Sequence, residues 1–225
     1  MTRAQMYKVL VTGGSRGIGK AISEVFTENK YDVCAPDRNE LDLTSKASIR
    51  SFIDRNPKGF DVIVNNAGIN PLNLIEDAEE KDIDDTVMVN LTAPILLVRG
   101  FVPMMKERKS GRIVNIGSMW SVVSKPRRSV YGATKHGIHG LTMALTAELS
   151  EFGILANTVS PGYTLTDMIK RNNTPEEIEK MGKEIPLGRM AAPEEIAKVV
   201  FFLGSYGNTY ITGQNIVVDG GYSIQ

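Results

Sequence analysis

Residues 7–19, "YKVLVTGGSRGIG", carry a short β-branched run straight into Thr12-Gly-Gly-Ser-Arg-Gly-Ile-Gly19, and the reading of this junction decides the fold. The apolar run has the composition of a buried strand. Glycines then fall at 13, 17 and 19, where a helix has to begin. Gly13 and Gly17 let backbone approach a pyrophosphate, Gly19 lets helix and strand pack closely, and the helix N-terminus favours negative charge. The spacing is G-x-x-x-G-x-G rather than the commoner G-x-G-x-x-G.

Working outward, further β-branched runs stand at 32–36 (DVCAP), 60–66 (FDVIVNN), 111–118 (GRIVNIGS), 153–160 (GILANTVS) and 214–220 (QNIVVDG). Helical patterns separate them at about 17–29, 45–56, 80–106, 130–151 and 193–204, the last opened by Pro193 and two glutamates. This alternation predicts an α/β fold: one doubly wound parallel sheet, a Rossmann fold, with helices on both faces. In "DVCAPDRNELDLT" (32–44) two apparent strands are three residues apart, whereas a parallel pair needs a crossover of about a dozen. The helix between the second and third strands is therefore expected to be shortened or absent. The whole chain, 1–225, reads as one domain, and the irregular stretch 161–190 reads as a substrate lid.

Twenty-six basic and twenty-six acidic residues give zero formal charge, which argues against nucleic acid or an anionic membrane as partner. No stretch reaches the length of a membrane span, and no signal peptide is apparent. The single cysteine, Cys34, reads as a buried thiol, and the expected location is cytoplasmic.

Ligands of an open α/β sheet bind outside the carboxyl ends of its strands. Besides the glycine loop, those ends here are Asn65-Asn-Ala-Gly68, Gly117-Ser118 and Ser160-Pro161-Gly162, all small and polar. On the helix "SVYGATKHGIHGLTMALTAEL", Tyr131 and Lys135 are four apart and share a face. A nearby ammonium favours a phenolate. Lowering the tyrosine pKa by about three units takes roughly 4 kcal/mol, which a lysine and a cationic nicotinamide ring together would supply.

With these residues in place the chain resembles the short-chain dehydrogenase/reductase family, in its compact single-domain branch, over nearly its whole length. T-G-x-x-x-G-I-G is met by Thr12 to Gly19, N-N-A-G by Asn65 to Gly68, Y-x-x-x-K by Tyr131 and Lys135, the family serine by Ser118, the helix asparagine by Asn90, and P-G-x-x-x-T by 161–166. Within the family the chain resembles 3-oxoacyl-[acyl carrier protein] reductases and related sugar and polyol dehydrogenases, a similarity shared by enzymes with other substrates. The resemblance implies an NAD(P)-dependent oxidoreductase that moves a hydride between nicotinamide and a ketone or secondary alcohol. It implies Tyr131 as general acid/base, Ser118 on the carbonyl oxygen, Lys135 on the ribose and beside the tyrosine, and Asn90 holding a relay water. The cofactor set it implies is Gly13, Ser15, Arg16, Gly17, Ile18, Gly19, Asp37, Arg38, Asp42, Leu43, Asn66, Ala67, Gly68, Tyr131, Lys135, Pro161, Gly162, Thr164 and Thr166. It also implies a homo-oligomer, a tetramer or dimer, built through 80–106, 130–151 and the C-terminal strand region.

Asp37 at the end of the second strand suits free ribose hydroxyls and repels a 2′-phosphate, which favours NAD; Arg38 and Arg16 would attract that phosphate, so NADP stays open with a slight lean to NAD. Two other readings compete: a nucleotide-sugar epimerase or dehydratase, which the chain length opposes, and a nicotinamide-binding sensor without turnover, which the presence of Asn90, Ser118, Tyr131 and Lys135 together opposes. His136 and His139 are three apart but lack a third ligand, so no metal is expected. The basic segment Lys125-Pro-Arg-Arg128, between Ser118 and Tyr131, suggests an anionic substrate, and Trp120 and Tyr163 are candidates to line the pocket.

Overall fold

Val9, Leu10 and Val11 are each fully buried, Leu10 in one core and its two neighbours in the other. The period of two that defines a strand thus supplies both faces of the sheet from one segment. The computed structural model describes residues 6–225, the side chains of Met168 and Asn172 aside. Six strands, β1 (Lys8–Val11), β2 (Asp32–Cys34), β3 (Val62–Asn65), β4 (Gly111–Ile116), β5 (Ile154–Pro161) and β6 (Asn215–Val218), pair in parallel in the order β2-β1-β3-β4-β5-β6.

The helices are α1 (Gly17–Glu28), α2 (Lys46–Arg55), α3 (Glu80–Val87), α4 (Ala93–Arg108), α5 (Ser129–Leu149), α6 (Asp167–Asn172), α7 (Pro175–Lys183) and α8 (Pro193–Gly204). On one face α2, α4 and α5 bury Phe52, Phe101 and Leu145 against Leu10 and Ile113. On the other, α1 and α8 bury Ile22, Phe26 and Val200 against Val9, Val11 and Val114. Each such side chain contributes about 1.5–3 kcal/mol by leaving water. Glu195 starts α8 by accepting the Ala192 N–H at 2.8 Å while it pairs with Arg189. From β1 the chain crosses to β2 on one side and next to β3 on the other, so the sheet has its switch point between β1 and β3. The crevice outside those two strand ends is where ligands collect in such sheets.

Two expectations are corrected. No helix stands between Cys34 and Leu41, as the spacing implied, but Leu41–Thr44 forms no strand. The Asp42 carboxylate accepts the Thr44 N–H and hydroxyl (2.9 and 2.7 Å), and the Asp42 N–H donates to Ser48 Oγ at 2.9 Å. The segment therefore turns directly into α2, which becomes the crossover from β2 to β3. Secondly, the continuous helical run Glu80–Arg108 spans 29 residues and is long and apolar enough to cross a membrane by length and composition. In the fold its Leu97, Phe101 and Met105 are fully buried in the core.

Candidate active site

Gly17 opens α1 in the left-handed region (φ 52°), and Arg16 precedes it as an extended N-cap whose side chain makes no capping bond. At Gly19 a Cβ would stand 2.1 Å from the Gly13 carbonyl oxygen and 2.5 Å from Asn66 Nδ2, so only glycine fits. Bare backbone and the unpaired first-turn N–H groups of α1 thus front the crevice, with Gly13, Ser15 and Arg16 exposed. A pyrophosphate fits this cradle.

Asn66 ties the second strand end to the first. Its Nδ2 donates to the Thr12 and Gly13 carbonyls (2.9 and 3.2 Å), while Thr12 Oγ1 accepts the Asn66 and Ala67 N–H groups (3.0 and 3.1 Å). Beyond it, Asn90 clamps the chain at Ile69, accepting its N–H and donating to its carbonyl, both at 2.9 Å, with a further bond to Thr134 Oγ1 at 3.2 Å. Asn90 lies in a π turn, Met88–Thr92, between α3 and α4. Wide turns of this kind recur at functional sites. The Asn90 amide is thus fully engaged by Ile69 and Thr134.

Tyr131 and Lys135 project from the first two turns of α5, as their spacing requires. The Lys135 ammonium is 5.5 Å from the Tyr131 ring centre and donates to the Ile116 carbonyl at 2.7 Å. Burial lowers Lys135 from 10.5 to about 8. The Tyr131 side chain keeps an exposed edge, but its hydroxyl is enclosed, and that burial raises its pKa; the Ser118 hydroxyl and the Arg128 charge oppose the rise. Desolvation outweighs these two, and the lowering expected from the Lys135 ammonium is not met in the chain as it stands.

Ser118 is buried at the end of β4, where its Oγ accepts the Trp120 N–H at 3.3 Å. Its carbonyl accepts from Ser121 Oγ at 2.7 Å; Ser121 meets Ser160 Oγ at 3.2 Å, and Ser160 donates to Asn215 Oδ1 at 2.6 Å. This chain from β6 through β5 holds the serine loop in place. Ser118 and Ser160 stand at strand ends that the sequence marks; Ser121 and Asn215 carry no local mark.

After β5, Gly162 donates to the Val218 carbonyl at 2.9 Å, and Thr164 bridges to Ala191. Thr166 caps α6, and its methyl lies 3.2 Å from the position a Gly17 Cβ would take. Thr166 thus reaches the glycine loop. A recess of about 620 Å³ opens between α1 and the insert, lined by Gly17, Lys20, Thr166, Lys170 and Arg189, and it does not include Tyr131. On the far side, Asp37 Oδ1 accepts the Asn39 and Glu40 N–H groups (2.8 and 3.0 Å), and Arg38 pairs with Asp42 at 3.6 Å. Hydrogen bonds from Thr44 and, less, the charge of Arg38 hold the Asp42 carboxyl below its ordinary value. Leu43 is half-buried against the core.

A family model described as enoyl-(acyl carrier protein) reductase matches residues 39–223. The chain is 34% identical to the 3-oxoacyl-[acyl-carrier-protein] reductase FabG of Vibrio cholerae, over 94% of this chain and 95% of the relative. It is 33% identical to the NAD-dependent glycerol dehydrogenase of Listeria innocua, over 96% and 93% respectively. Among solved structures it is similar to the gluconate 5-dehydrogenase of Burkholderia cenocepacia in complex with NADP and tartrate, with a TM-score of 0.92 and 27% identity, covering 99% of this chain and 97% of that one.

Proposed function

The chain belongs to the short-chain dehydrogenase/reductase family and is an NAD(P)-dependent oxidoreductase; on that premise we propose that Tyr131 gives and takes the proton of a ketone/secondary alcohol pair. Ser118 Oγ hydrogen-bonds the substrate oxygen and stabilises charge there. Lys135 and Asn90 hold the tyrosine's surroundings and the ribose side of the cofactor. Gly13 to Gly19, Asn66 to Gly68 and Pro161 to Thr166 hold the rest of the dinucleotide. The bound nicotinamide supplies or accepts the hydride. The observation that carries this reading is the juxtaposition of buried Lys135, the enclosed Tyr131 hydroxyl and Ser118 at one strand end, across the crevice from the glycine cradle. A panel of ketones and alcohols run with NADH and NADPH tests it. Tyr131→Phe should lower kcat/KM about 100-fold or more and leave cofactor affinity within about twofold; unchanged turnover would refute the assignment.

Three finer statements belong to the same proposal. NAD is preferred over NADP: an Asp37 carboxylate beside the ribose would repel a 2′-phosphate, and Arg38, which could attract it, is drawn to Asp42. The insert 161–190 acts as a lid over substrate. The protein works as a homo-oligomer, tetramer or dimer, through α4, α5 and the β6 region, where exposed Ile95, Met143 and Ile224 support an apolar contact; light scattering of the purified chain measures this directly.

A further inference from the structure

Arg128 stands at the start of α5, one turn before Tyr131, and nothing in the reaction above uses it. The main chain is tightly folded here: Arg127 is left-handed (φ 66°), and the Arg128 carbonyl accepts the Gly132 N–H at 2.6 Å. Arg128 Nε and Nη1 are buried with no hydrogen-bond partner. None of the ion pairs among the described residues includes Arg128. Asp82 lines the same small recess but accepts from Asn73 Nδ2 instead, at 3.2 Å. A desolvated guanidinium without an acceptor is costly unless some other anion completes it.

The surroundings hold the charge in place without neutralising it. The guanidinium lies 5.7 Å from the Trp120 ring centre. Trp120 meets Tyr163 and Tyr222 edge-on at 6.2 and 6.1 Å, and those two rings meet edge-on at 5.5 Å. Lys125 adds a second cation, 5.6 and 5.7 Å from the Trp120 and Tyr163 ring centres, and donates to the Tyr163 hydroxyl at 2.9 Å. Neither cation is paired with a carboxylate, and the Arg128 charge is felt at Tyr131. Nη2 is not among the sealed atoms, so the guanidinium can still offer hydrogen bonds outward.

The geometry points to Arg128 as the group that fixes a carboxylate on the substrate, with Lys125 strengthening the field, so that this enzyme acts on oxo acids and hydroxy acids whose anionic end lies a few bonds from the reacting carbon. Residues one turn apart on a helix have Cβ atoms about 5–6 Å apart, which sets that short span. The open Nη2 offers a carboxylate a charge-assisted hydrogen bond, and a guanidinium keeps its charge when desolvated, which a buried ammonium does not. The inference rests on Tyr131 being the acid/base of the proposed reaction.

The test has two arms. In the first, kcat/KM is measured for acetoacetate and levulinate against their methyl esters. The wild type should favour the acids; Arg128→Gln should lower the acid-to-ester ratio of kcat/KM about 10- to 100-fold, any change common to acid and ester reporting the Arg128 charge at Tyr131, with Arg128→Lys in between. The second arm needs no turnover, because Trp120 is the only tryptophan of the chain and touches the site. Succinate should change its fluorescence saturably in the wild type, dimethyl succinate should not, and the change should vanish in Arg128→Gln. Equal use of acid and ester, or a fluorescence response that is absent or identical for succinate and its diester, would overturn the inference, even if Arg128→Gln fails to fold. Arg128-dependent succinate binding without reduction of any ketone would sink the redox reading and leave the anion site standing. Turnover of ketones indifferent to Arg128 would do the reverse.

Discussion

Replacing Gly19 by alanine places a methyl carbon 2.1 Å from the Gly13 carbonyl oxygen and 2.5 Å from Asn66 Nδ2, whereas ordinary contact begins near 3.4 Å. Neither neighbour is a free side-chain end. The first is backbone of the cradle, and the second is fixed by bonds to the Thr12 and Gly13 carbonyls. The loop must therefore open by more than an ångström, or Asn66 must leave. Overpacking of this kind costs about 1–3 kcal/mol, and each hydrogen bond lost adds about 1 kcal/mol. A total of about 3 kcal/mol in a chain of this size lowers Tm by roughly 6–12 °C. The displaced atoms are those proposed to hold the pyrophosphate, so NADH affinity, read by its fluorescence on titration, should weaken at least about tenfold. A Gly19→Ala protein with Tm within about 2 °C and affinity within about twofold of wild type would refute both the packing argument and the location of the cradle.

Other perturbations probe other parts. Lys135 is charged in both folded and unfolded chain below pH 8, where burying the ammonium costs about 3 kcal/mol; between about 8 and 10.5 the unfolded chain binds the extra proton, so stability from this group rises with pH. Lys135→Met should therefore be more stable than wild type at pH 7, by about 2 kcal/mol after loss of the bond to Ile116, with the advantage shrinking toward pH 10; a gap independent of pH in denaturant titrations would count against the buried charge. Asn215→Ala removes the acceptor of Ser160 and loosens the Ser118 loop, so kcat should fall about 5- to 100-fold while the KM for cofactor barely changes; equal loss in both would contradict a role confined to the serine. Asp37→Asn keeps an acceptor for the Asn39 and Glu40 N–H groups but removes the charge, and should shift the NADPH-to-NADH preference about tenfold toward NADPH; an unmoved ratio of kcat/KM values would remove Asp37 from cofactor choice.

Where a feature depends on neighbours along the chain, the sequence was sufficient to read it. The strand at Lys8–Val11, the glycine spacing behind it, the Tyr131/Lys135 pair and the start of α8 at Pro193 all follow from local pattern, and the helical stretches match the observed α1, α2, α5 and α8 within a residue or two. What escaped depends on distant partners. Ser121 meets Ser160 across 39 positions, and Ser160 meets Asn215 across 55, so no period or motif joins them. The π turn at Met88–Thr92 is hidden inside an otherwise regular helical pattern, because one wide turn shifts the apolar stripe by a single residue. Arg128 was visible as part of a basic segment, but that its guanidinium lacks an acceptor is a fact of packing alone.

The misread strand at Leu41–Thr44 shows how the same residues serve two demands. An alternating "LDLT" suits a half-buried strand, and Leu41 is indeed buried. Yet β2 is three residues long and starts at exposed Asp32, which makes it a poor template for a further partner. Side chains instead supply the hydrogen bonds a ladder would have given. Asp37 takes two main-chain N–H groups, Asp42 takes one, and Arg55 of α2 donates to the Glu40 carbonyl at 2.9 Å. The side of the crevice proposed to take the adenosine is thus walled by turns that carboxylates hold together. Asp37 and Asp42 therefore cannot be judged by charge alone, since an alanine at either position removes an acceptor that shapes the wall. Only a substitution that keeps the oxygen and loses the charge separates cofactor discrimination from the fold of the loop, which is why asparagine is the informative change at Asp37.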